Sequence, residues 1–165
     1  MMRSWGSCRL TSRACVRAII GMWMPVLLVG AWTASVPAAQ APATGKTVWD
    51  GVYGETQADR GKQAYEQNCA FCHLSDLTGQ GFAPALVEDS FTLRWADGNL
   101  ADLYTIVKAT MPQDKPDSLT EAQYTEIVAY LLKVNKYPAG QQELRPDLAA
   151  LKGVTFKRPG EGAKP

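Results

Sequence analysis

Two cysteines and a histidine fall within five residues, Cys69-Ala70-Phe71-Cys72-His73. Residues three apart near the end of a helix share one face. Two thiols at that spacing can add to the two vinyl groups along one edge of a porphyrin, and the next residue, His73, then offers an imidazole nitrogen to the metal. This is the attachment pattern of haem c. Three other chemistries compete for the same residues. A thioredoxin-like redox pair wants a strand before it and a βαβ setting, whereas a helical pattern leads into Cys69. A structural zinc site needs four ligands, usually Cys and His, and His73 is the one histidine of the chain. A plain disulfide has no need of the adjacent histidine. The pattern predicts one covalent haem c on Cys69 and Cys72, with His73 as an axial iron ligand.

Haem iron in electron carriers is commonly held by His and Met. Four of the five methionines, Met1, Met2, Met22 and Met24, lie at the N-terminus in a segment that reads as removable. Elimination leaves Met111, followed by Pro112, as the second axial ligand. The alternatives are a methionine that merely fills a gap in the core, a five-coordinate iron, or ligation by Lys108 or Lys115.

The N-terminal segment itself reads as an export signal. Arg3, Arg9, Arg13 and Arg17 precede an uncharged stretch from Ala18, whose apolar centre includes Ile19, Ile20, Val26, Leu27, Leu28 and Val29. Val36-Pro37-Ala38 and Ala39-Gln40-Ala41 both fit a small-x-small cleavage pattern. The rival is a retained anchor, since about 20 apolar residues can span a bilayer; Pro25, Gly30, Ser35 and Pro37 weaken that reading. Cys8 and Cys15 belong to this segment, so the mature chain keeps Cys69 and Cys72 only. Export carries that pair to an oxidising compartment, where an unused pair would be expected to form a disulfide. Four of the 17 Lys and Arg go with residues 1–41, leaving 13 against 16 Asp and Glu, a net charge of −3. With no basic block, nucleic-acid binding has no electrostatic footprint.

The elements that must position these residues follow from apolar spacing. Residues 1–41 are the export segment, 42–46 a linker, 47–137 the domain, and 138–165 a C-terminal extension, rich in Gly, Pro and charge with one apolar patch around Leu148, Leu151, Val154 and Phe156, expected to lie on the domain surface and fray at its end. A first helix is expected over 58–69, from Ala58, Gly61, Tyr65 and Cys69. A second is expected over 99–109, on the stripe Leu100, Leu103, Tyr104 and Val107. A third is expected over 120–134, on Tyr124, Ile127, Val128 and Leu131, with Ser118 and Glu121 or Thr120 and Gln123 as its capping box. No stretch alternates like a hairpin strand. Between the first two helices lies a loop of about 25 residues, unusual in a compact domain unless it has work to do, such as wrapping a flat cofactor.

On these residues the chain resembles the small class I c-type cytochromes. Within them it is most similar to the single-haem cytochromes that accompany quinoprotein (PQQ-dependent) alcohol dehydrogenases. The resemblance runs from about Thr47 to Phe156. It is carried by Thr47-Val48-Trp49-Asp50-Gly51-Val52-Tyr53, Arg60-Gly61-Lys62, the Cys69–His73 motif, Thr110-Met111-Pro112 and Ile127-Val128-Ala129-Tyr130-Leu131-Leu132. The haem motif and the Met-Pro step are specific to the class; the Trp-Asp-Gly-Val-Tyr opening points only weakly to the subgroup. The resemblance implies an all-α class I cytochrome c fold wrapped around one covalent haem. Its first and last helices would cross closely at Gly61, with Tyr65 against Tyr130 or Leu131. It implies that the Pro84 carbonyl takes the His73 Nδ1 proton, a contact that orients a ligand ring; a plain loop proline is the other reading. Trp95 is either a neighbour of a haem propionate or a core tryptophan, and Arg94 reads as a solvated charge.

An iron with two strong protein ligands and no open position suits electron transfer rather than oxygen or peroxide chemistry. The expectation is therefore a periplasmic electron carrier and not an enzyme. Its redox partners would be a dehydrogenase on one side and an oxidase or another cytochrome on the other. A membrane becomes a partner only if the N-terminal segment is retained. Two rival functions remain: a permanent cytochrome subunit of a dehydrogenase complex, with the C-terminal extension as docking arm, and a ligand-binding or sensing haem protein with a labile Met111.

Overall fold

A computed structural model describes residues 45–158. The export segment, Cys8 and Cys15, most of the linker and the last seven residues lie outside the described residues. Six helices occur among them: α1 (Glu55–Asn68), α2 (Ala70–His73), α3 (Glu88–Trp95), α4 (Leu100–Thr110), α5 (Glu121–Val134) and α6 (Leu148–Lys152). Two strands of two residues each, β1 (Lys46–Thr47) and β2 (Val154–Thr155), pair in parallel. No helix among the described residues is long and apolar enough to cross a membrane.

The packing of α1 on α5 organises the domain. α1 buries Gln57, Ala58, Gly61, Ala64 and Tyr65, a stripe at helical spacing. α5 is buried on almost every side, from Tyr124 through Leu132. The two backbones approach so closely that a Cβ on Gly61 would lie 1.8 Å from the Glu126 carbonyl oxygen, so only glycine fits there. Tyr65 and Tyr130 meet across the crossing with ring centroids 5.3 Å apart. Outside them, Arg60 Nε bonds Glu126 Oε1 at 2.6 Å and Lys133 Nζ bonds Asp59 Oδ1 at 2.7 Å. α5 begins on a capping box: Thr120 accepts from the Gln123 N–H, and the Gln123 side chain reaches back to the Thr120 N–H. α4 is capped by Asn99, whose side chain accepts from the Asp102 N–H.

Two features depart from the expectations. The long loop contains α3, which buries Phe91 and Trp95 four residues apart. The segment after residue 138, expected to lie on the surface as an extension, turns back into the core. Asp147 caps α6 by accepting from the Ala149 and Ala150 N–H groups, and Leu151, Val154 and Phe156 are buried. Phe156 sits among Phe91, Trp95 and Tyr137, with ring centroids 6.0–6.2 Å away. The Trp-Asp-Gly-Val-Tyr opening is tied to the same return. Trp49 Nε1 donates to the Lys157 carbonyl at 2.9 Å, and the Tyr53 hydroxyl donates to the Tyr137 carbonyl at 2.7 Å. Gly140 lies so close to Gly51 that a Cβ on it would meet the Gly51 carbonyl oxygen at 1.8 Å.

Candidate cofactor site

The motif begins where α1 ends. The Cys69 N–H closes the last turn on the Tyr65 carbonyl at 2.8 Å, and α2 follows with the Cys72 and His73 N–H groups both donating to the Cys69 carbonyl. One helical turn therefore holds both thiols and the imidazole. The turn is fixed from outside by the Tyr65 hydroxyl donating to Leu74 O at 2.7 Å and by Gln80 Nε2 donating to Phe71 O at 2.7 Å. Cys69 is half-buried and Cys72 exposed. Burial, with Cys72 nearby as a lesser cause, pushes the Cys69 thiol up to about 11.

His73 is buried, and its Nδ1 lies 2.9 Å from the Pro84 carbonyl oxygen. A carbonyl can only accept, so Nδ1 carries the proton and Nε2 keeps its lone pair. The loop that presents Pro84 is itself held in place. The Gly79 N–H donates to His73 O at 3.0 Å, and the Leu86 N–H donates to Leu77 O at 2.8 Å. Asn135 Nδ2, at the end of α5, donates to Leu86 O at 2.9 Å. Gly79 has a φ of +73°, and a Cβ there would lie 2.3 Å from the Ala83 carbonyl, so the loop requires glycine twice over.

These residues surround a cavity of about 760 Å³. Cys69, Cys72, His73, Pro84 and Met111 all line it, and Leu103, Val107, Ile127 and Leu131 give it apolar walls. Met111 enters from the end of α4, where its N–H donates to Val107 O at 2.9 Å, and its carbonyl accepts from the Tyr124 hydroxyl at 2.9 Å. Of the two lysines weighed as alternative ligands, Lys115 lines the cavity. Lys108 instead pairs with Asp117, its ammonium 5.6 Å from the Tyr124 ring centroid. Trp95 and Arg94 both reach the cavity wall, the guanidinium stacked over the indole at 5.6 Å. A second hollow, of about 500 Å³, is lined by Gln57, Glu143 and Arg145 among others and holds none of these groups. The Gln57 amide at its edge is already bonded both ways to the Leu144 backbone at 2.8 Å.

The donor set fits a haem. Two thiols on one turn would suit covalent attachment, and the imidazole, with its Nδ1 committed, and the Met111 thioether in the same cavity would be the donors available to its iron. A bare metal ion fits less well: among the described residues no three His, Cys, Asp or Glu side chains gather as a metal site. Sequence reasoning missed Asn135 and Tyr124 as supports of the site. Each acts on a backbone carbonyl far away in sequence, and no local spacing encodes such a contact.

Residues 56–131 match the family described as cytochrome c oxidase, cbb3-type, subunit III. The chain is also similar to thiosulfate dehydrogenase of Stutzerimonas stutzeri (strain A1501), 34% identical over 80 residues. That likeness covers 44% of this chain and 25% of the relative. No solved structure gives a significant match. The helices form a cytochrome c fold, and fold and likenesses together support a c-type cytochrome acting in haem electron transfer.

Proposed function

We propose that this chain is an exported, periplasmic electron carrier with one haem c, attached through Cys69 and Cys72 and held axially by His73 and Met111. The observation that carries the reading is the convergence of both thiols, the Pro84-bonded imidazole and Met111 on one apolar-walled cavity. The haem iron supplies a reversible one-electron change. The chain supplies the rest. His73 presents Nε2 in a fixed orientation because Nδ1 is committed to Pro84. Met111 would contribute a thioether, a ligand that favours the reduced metal and raises the potential. The apolar walls would shield much of the bound group from water.

The partners on this reading are a dehydrogenase as donor and an oxidase or another cytochrome as acceptor. A quinoprotein alcohol dehydrogenase is the donor suggested by the Trp49–Tyr53 opening. A second reading, a permanent cytochrome subunit of a dehydrogenase system, is favoured by the likeness to a protein named thiosulfate dehydrogenase.

The test of the ligand set is Met111→Ala. The potential should fall, and the ferrous protein should bind carbon monoxide, which the parent is expected to resist. An unchanged potential and spectrum would show that another residue holds the iron, with Lys115 the first to examine.

A further inference from the structure

The loop that presents Met111 is closed at its root. It leaves α4 at Met111, turns with the Lys115 N–H donating to Pro112 O at 2.9 Å, and returns so that the Asp117 N–H donates to Lys108 O at 3.1 Å. The Lys108–Asp117 ion pair closes the same neck from outside. One phenol fastens both ends of the loop to α5. Tyr124 is fully buried; its hydroxyl donates to the Met111 carbonyl at 2.9 Å and accepts from the Leu119 N–H at a longer 3.4 Å. The ring lies in the core whether or not it carries oxygen. The hydroxyl is what bonds Met111.

We propose that Tyr124 is a positioning residue for the sixth ligand: its hydroxyl clasps the Met111 backbone and sets how often the thioether leaves the iron. This rests on Met111 ligation as proposed above. Release of the thioether requires its loop to swing out. Each bond that ties the Met111 backbone to the buried α5 lowers the population of the open form. An external ligand that competes for the sixth position binds in proportion to that open fraction. Imidazole affinity of the ferric protein therefore reads the clasp directly.

Tyr104 provides an internal control. It is also buried, its ring centroid is 6.5 Å from that of Tyr124, and among the described residues its hydroxyl has no hydrogen-bond partner. Loss of that oxygen removes no tie to the loop.

The experiment titrates imidazole into four ferric holoproteins: the parent, Tyr124→Phe, Tyr104→Phe and Met111→Ala. Tyr124→Phe is expected to keep the parent spectrum without imidazole yet bind imidazole about five-fold more tightly, a change of about 1 kcal/mol at 1.4 kcal/mol per tenfold. Tyr104→Phe should bind it as the parent does, and Met111→Ala more tightly than either. Hydrogen exchange of the Leu119 amide reads the clasp without reference to the iron and should quicken in Tyr124→Phe alone. Parent-like imidazole binding in Tyr124→Phe, with tight binding in Met111→Ala, would overturn the clasp and leave Met111 ligation standing. Parent-like binding in Met111→Ala would overturn the ligation itself, and the clasp with it. Equal tightening in Tyr124→Phe and Tyr104→Phe would show general loosening of the core and also overturn the clasp.

Discussion

Gly61→Ala should unfold the domain more easily although alanine is the better helix former. The added Cβ would lie 1.8 Å from the Glu126 carbonyl oxygen, 2.4 Å from its carbonyl carbon and 3.0 Å from Tyr130 Cβ. Ordinary contact begins near 3.4 Å, so α1 and α5 must part by about 1.6 Å at the crossing. The obstacle is backbone inside α5, which no rotamer change can move aside. Overpacking of this kind costs about 1–3 kcal/mol, and an immovable neighbour places it at the upper end. Helix propensity returns about 1 kcal/mol. The net loss is about 2 kcal/mol, or a fall in Tm of roughly 6–12 °C for a domain between the roughly 100- and 150-residue classes. The parting would also disturb the Tyr65–Tyr130 contact and the Arg60–Glu126 pair. Urea denaturation of the holoprotein is the assay, with a lower midpoint expected at an unchanged slope. A midpoint equal to or above the parent's would refute the close-crossing argument, because propensity alone predicts that result.

Two further outcomes follow from buried phenols. Burial pushes Tyr53 up to about 12, with the Glu55 carboxylate a lesser cause. The unfolded phenol ionises near 10, so the folded state retains its proton to higher pH. The associated stability is complete below about pH 10 and is lost as pH rises through about 12; Tyr53→Phe should flatten part of that alkaline fall in melts run from pH 8 to 12. Tyr104→Phe should leave stability unchanged or raise it by up to about 1 kcal/mol, since a buried hydroxyl with no hydrogen-bond partner among the described residues is costly to the parent; a clear loss of stability in denaturant would contradict this.

The parts of the fold legible in the sequence were those written in local spacing. α4 and α5 carry apolar stripes and capping residues within a few positions of each other, and their bounds fall within a residue or so of those expected. Gly61 and Tyr65 were readable through the family resemblance, and the crossing they make is a contact between helices rather than a pattern within one. α3 was hidden because only Phe91 and Trp95 anchor it, too few to reveal a period among polar neighbours. The return of the chain after 138 was hidden for another reason. Val154 pairs with Lys46 and Phe156 packs beside Phe91, both contacts between distant positions. A two-residue strand leaves no alternation to detect. At the site, the candidate attachment and ligand residues are chemically distinctive in the sequence, whereas the supports of their geometry, Asn135 on Leu86 O and Tyr124 on Met111 O, are ordinary polar residues whose contacts exist only in three dimensions.

Covalent attachment is the claim on which the rest depends. The native holoprotein, denatured in acid and extracted with organic solvent, tests it in one step. Two thioether bonds through Cys69 and Cys72 would keep the haem colour with the precipitated polypeptide. Passage of the colour into the organic phase would show that the thiols hold no porphyrin, and would contradict the assignment at its root.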